Sequence, residues 1–65
     1  MRYEFRVEGP VTDEARDTFV DMRITEASPQ TLLEGDVLDE SQLHGIIVQL
    51  QTFGMTVVSV HPVPS

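Results

Sequence analysis

The chain opens on an alternation. Met1, Tyr3, Phe5 and Val7 fall on one side and Arg2, Glu4, Arg6 and Glu8 on the other, the period-two pattern of a half-buried strand. Gly9 and Pro10 break it. Thr12 or Asp13 can cap a short helix reaching to about Thr18, with Ala15 and Phe19 turned inward. Alternation returns across residues 20–26, which places Val20, Met22 and Ile24 inside and Asp21, Arg23 and Thr25 outside. Ala27, Ser28 and Pro29 read as a turn. Residues 30–35 then return as the second arm of a hairpin, which Gly35 and Asp36 end.

The period changes after Asp39. Leu43, Ile46, Ile47, Leu50 and Phe53 share one stripe of a helix. Asp39 stands at the N-cap position with Gln42 three residues later, an approximate capping box, and Val37 or Leu38 can act as its hydrophobic staple. Glu40 places negative charge where the helix dipole favours it. Gly54 suits the left-handed position that ends many helices. Residues 55–61 form a β-branched run, and Pro62 and Pro64 should stop the strand near His61, leaving residues 62–65 frayed.

The order strand, helix, strand, strand, helix, strand is the split β-α-β arrangement of ferredoxin-like α+β folds. It predicts a single domain over residues 1–65. Four antiparallel strands would form one sheet in the order 4-1-3-2, with two helices on one face.

Composition narrows the functional classes. Eleven acidic residues stand against four arginines and no lysine, for a net charge of −7. That balance opposes phosphate neutralisation, hence nucleic-acid binding, and opposes an anionic membrane surface. The start of the chain shows no secretory leader pattern, and no apolar run approaches the ~20 residues of a membrane span. A cytoplasmic protein is expected. Without cysteine there is no disulfide, and a domain of ~60 residues buries only about 60% of its unfolded surface. Self-association is one way to bury more.

Three surfaces could carry function. The first is the open face of the sheet, where Arg2, Arg6 and Arg23 would lie together with Glu4 and Glu34. Such a cluster can hold a small anionic metabolite through bidentate guanidinium contacts. Cross-strand ion pairing among Arg2, Glu4, Arg6, Asp21 and Glu34 is the plainer reading. The second is the outer side of the last helix, with His44, Gly45, Val48, Gln49, Gln51 and Thr52. This face carries no formal charge after Glu40 and holds a mid-helix glycine that costs about 1 kcal/mol against alanine. His44, Gly45, Val48 and Thr52 are candidate interface residues, and Val58 on the last strand offers an edge contact without a charged gatekeeper. The third is metal or acid–base chemistry. His44 with Glu40, and His61 alone, make no complete metal site, and no serine stands at a recognisable spacing from a base. Asp13, Glu14 and Asp17 read as first-turn charges and a solvated helix face. No catalytic residue, metal or cofactor is expected.

The run from Leu33 to Ile47, with Leu43, His44 and Gly45 near the start of the last helix, is followed by Leu50, Phe53, Gly54 and Met55 and a closing strand ending in proline. Together with the opening Met1, Arg2 and Tyr3, it resembles a group of small actinobacterial proteins of unknown function. More loosely, the element order is similar to ACT-type regulatory domains, which bind small ligands at dimer interfaces. Gly9 and Pro10 depart from the glycine-containing ligand loop of those domains. The expected function is a non-enzymatic interaction module, either homodimeric or bound to another protein. A regulatory domain binding an anionic metabolite over Arg2, Arg6 and Arg23 is the alternative.

Overall fold

A computed structural model describes residues 1–27 and 30–64. The elements follow the expected order: β1 (Arg2–Glu8), α1 (Asp13–Thr18), β2 (Arg23–Ala27), β3 (Gln30–Asp36), α2 (Glu40–Thr52) and β4 (Thr56–Pro62). All neighbouring strands are antiparallel, in the order β2-β3-β1-β4. This is the ferredoxin-like arrangement, with strands one and three at the centre. The expected turn at Ala27, Ser28 and Pro29 falls partly outside the described residues.

Register decides which side chains meet. Phe5 lies opposite Leu33 and Val60, and Val7 opposite Thr31 and Val57. Phe5, Val7 and Leu33 are fully buried and pack with Ala15 and Phe19 from the first helix segment and Ile46 and Leu50 from α2. Both helices therefore cover the same face of the sheet. Phe19 meets Phe53 edge-on, with ring centroids 6.1 Å apart, a favoured geometry for aromatic pairs.

The helix ends explain where the helices stop. Thr12 caps α1, its hydroxyl accepting from the Ala15 N–H at 3.1 Å. Asp39 caps α2 by accepting from the Gln42 N–H at 2.8 Å. The reciprocal contact differs from the usual box. The Gln42 side chain accepts from the Leu38 N–H at 2.6 Å, one residue earlier than the N-cap. Val37 enters the core, whereas Leu38 is 88% exposed, so Leu38 does not serve as a staple. At the far end of α2, Gly54 adopts φ +86°. The Gly54 N–H donates to the Gln51 carbonyl and the Met55 N–H to that of Leu50, each at 3.0 Å, which is a Schellman closure.

Two expectations need correction. The second strand begins at Arg23, not Val20. The Phe19 N–H closes α1 on the Ala15 carbonyl, and the Met22 N–H donates to the Phe19 carbonyl, both at 3.0 Å. The reversal uses residues 19–22, so Val20 points to solvent, 76% exposed. The alternation from Val20 to Met22 is thus a turn, and only Ile24 faces inward from the strand. The last strand also runs further than expected. Pro62 pairs with Tyr3, and the Val63 N–H donates to the Arg2 carbonyl at 2.8 Å. Proline is tolerated there because β4 is an edge strand that needs donors on one side only.

Candidate functional site

The open face of the sheet can be read row by row from the register. Arg23, Glu34, Glu4 and His61 form one row, and Thr25, Leu32, Arg6 and Ser59 the next. Arg2 lies opposite Asp36. The three predicted arginines do share this face, but so do Glu4, Glu8, Glu34 and Asp36. The face is balanced rather than cationic. Arg2 lies 3.8 Å from Glu34 and 3.9 Å from Asp36, and Arg6 lies 3.5 Å from Glu4. Exposed pairs of this kind contribute little to stability. They do occupy the Arg2 and Arg6 guanidinium groups that an anion would need. Asp21 takes no part in the network, because it sits in the turn after α1. Among the described residues, Arg6 Nε is buried without a hydrogen-bond partner and Arg23 makes no ion pair. The remaining arginine, Arg16, reaches from α1 to Glu26 at 2.7 Å on the helix-bearing side.

The α2 candidates separate into two groups. His44, Val48 and Thr52 form an exposed outer ridge, with Val48 44% exposed. Val58 lies on β4, beside a register shift opposite Arg6 and Val7, and is 45% exposed. This bulge twists the edge and partly guards it, a protection the sequence did not reveal. Gly45 faces the other way. It lines a groove of about 720 Å³ together with Phe19, Met22, Asp36, Leu38 and Ile46. Asp21, Gln42 and Gln49 also border this groove. The structure does not bring Gly45 and Val58 together.

Two glycines shape that groove differently. A Cβ on Gly35 would lie 2.9 Å from Met22 Cγ, so Gly35 is what lets Met22 settle onto β3. A Cβ on Gly45 would meet nothing within 4 Å. No packing among the described residues accounts for glycine at that position.

Among the described residues, no three His, Asp or Glu side chains come close enough to share a metal ion. None of the described helices is long and apolar enough to cross a membrane. Over residues 2–61 the chain matches the model of a domain of unknown function, DUF8691. Comparison with curated proteins and with solved structures found no match. The chain belongs to the DUF8691 family.

Proposed function

We propose that this member of a family of unknown function is a non-catalytic protein–protein interaction module that self-associates through the flank formed by α2 and β4. Segregation of charge carries the reading. Every Asp, Glu and Arg precedes Ser41, and no formally charged side chain follows it. Two copies carrying −7 each repel across most of their surfaces. Across the flank formed by β4 and by α2 beyond Ser41 they meet without bringing like charges together, and Glu40 lies at the end of the ridge. The outer ridge of His44, Val48 and Thr52 supplies a small, partly apolar contact surface. The free edge of β4, near Val58, supplies unpaired backbone groups.

Light scattering over a concentration series tests this. The expected molar mass is twice the chain's 7.3 kDa. Val48→Asp places a charge in the centre of the ridge and should return the mass to that of one chain with the circular dichroism spectrum unchanged. A single-chain mass at every concentration for the parent protein would rule the reading out.

A further inference from the structure

The two edges of the sheet are finished differently. β2 is short and carries Arg23 and Glu26, and Glu26 is tied to Arg16 of α1 at 2.7 Å. Charge guards such an edge. β4 is longer and carries no formal charge from Thr56 to Pro62. Its backbone can be followed bond by bond. The Val63 N–H donates to the Arg2 carbonyl, and bonded pairs alternate with unbonded ones along an antiparallel ladder. His61 and Ser59 therefore turn their backbone groups to β1, opposite Glu4 and Arg6. Val60 and Pro62 turn theirs away from the sheet. Pro62 has no N–H to offer, and the register shift between Arg6 and Val7 ends the regular ladder at Ser59. Between these limits, Val60 alone presents both an N–H and a carbonyl to the free side.

The core is also unfinished along this edge. Val57 and Val60 face the helices from β4 yet stay half-buried, and so does Ile47. Ile47 stands two positions beyond Gly45, on the side of α2 turned away from the groove. Among the described residues no further element covers this margin.

We infer that two copies join β4 to β4 in antiparallel order about a two-fold axis at Val60, so that the four strands of each copy form one continuous sheet. The inference rests on the self-association proposed above and specifies its geometry. Val60 of each copy donates to and accepts from Val60 of the other, which satisfies both outward groups at once. Their side chains become cross-strand neighbours on the helix-bearing face. On the open face, Ser59 of one copy lies opposite His61 of the other. The axis runs perpendicular to the sheet, so all the helices stay on one side. Any other register sets Val60 against Pro62, which lacks the donor, or against the bulge at Val58. A second copy is the occupant that the edge itself specifies. It brings a ladder bounded in the same way, no like charges, and its own half-buried Val57 and Val60. The charged β2 strands become the outer edges, and the assembly stops at two copies.

A chain of 65 residues is within reach of chemical synthesis, which allows a single N-methyl group on the Val60 backbone nitrogen. That N–H points away from β1, so the variant should keep the circular dichroism spectrum of the parent. Light scattering should give twice the chain mass for the parent and the mass of one chain for the variant. In a mixture of labelled and unlabelled parent, a magnetisation-transfer contact should join the Ser59 and His61 Hα protons of opposite copies. A parent dimer without that contact would overturn the strand pairing, whatever the variant does. So would a dimer that Val48→Asp dissociates and N-methylation leaves intact, which would place the whole contact on the α2 ridge and leave self-association standing. Assemblies of more than two copies would overturn it too. A parent with the mass of one chain at every concentration would remove the self-association reading itself, and this geometry with it.

Discussion

The two halves of the helical layer are built from the same residue types and end differently. Under α1 the seam is closed. Ala15 and Leu50 are buried, and the Phe19 ring meets Phe53 edge-on. Beyond α1 the seam is open, with Met22 half-buried and Leu38 exposed. The difference shows that the gap comes from the length of α1, not from any lack of apolar side chains around it. The cap at Thr12 and the turn that closes on Phe19 leave α1 room for six residues and no more.

Substitutions on either side of this boundary should differ in size and sign. The largest effect belongs to the closed half. Phe19→Ala removes a buried ring at a cost of about 3–5 kcal/mol, comparable with the whole stability of a small domain. The expected result is loss of a cooperative thermal transition. A melt close to that of the parent would show that this half is not closed. Next comes Gly35→Ala, which drives a methyl group into Met22. It should cost about 1–3 kcal/mol, with Tm falling by roughly 4–8 °C per kcal/mol. Gly45→Ala should act in the opposite direction. With open space around the new methyl, helix propensity alone applies, and the domain should gain up to about 1 kcal/mol. A lower Tm in this variant would mean that the space beside Gly45 is already filled. The smallest effect is expected away from the layer, on the open sheet face. Glu34→Gln removes one exposed partner of Arg2 and should shift stability by less than about 0.5 kcal/mol in chemical denaturation.

The element order was legible because each segment keeps one period. Phe5, Val7 and Leu33 announce a strand face, and Leu43, Ile46 and Leu50 a helix stripe. The capping residues Asp39 and Gly54 were legible from local chemistry alone, whereas the cap of α1 stayed open between Thr12 and Asp13 until the structure placed it at Thr12. The start of β2 was not, because Val20, Asp21 and Met22 alternate like a strand while the backbone turns back on Phe19. Alternation over three residues does not distinguish the two. The last strand was cut short in the sequence reading because prolines block a ladder only where donors are needed, and strand position in the sheet is not a local property. Gly45 was visible as an oddity on an uncharged helix. Its place in a groove was not visible, since the walls come from residues 19–22, from the end of β3 and from α2. The arginine face and its pairing with Glu4 and Glu34 were legible from the alternation, whereas Asp36 as a second partner of Arg2 depended on the register.

The strand order has a kinetic consequence. β1 lies between β3 and β4, so the earliest of these four strands is flanked by the latest. Tyr3 pairs with Pro62 and Glu8 with Thr56. These contacts span most of the chain, and folds dominated by such distant pairings form slowly. A ribosome must complete residues 56–62 before β1 gains its second neighbour. Until then, the free side of β1 is an unguarded edge carrying Phe5 and Val7, without the bulge that later protects β4. Aggregation during synthesis is therefore decided at β1, and slowing elongation after Gly54 would lengthen the period in which that edge is exposed.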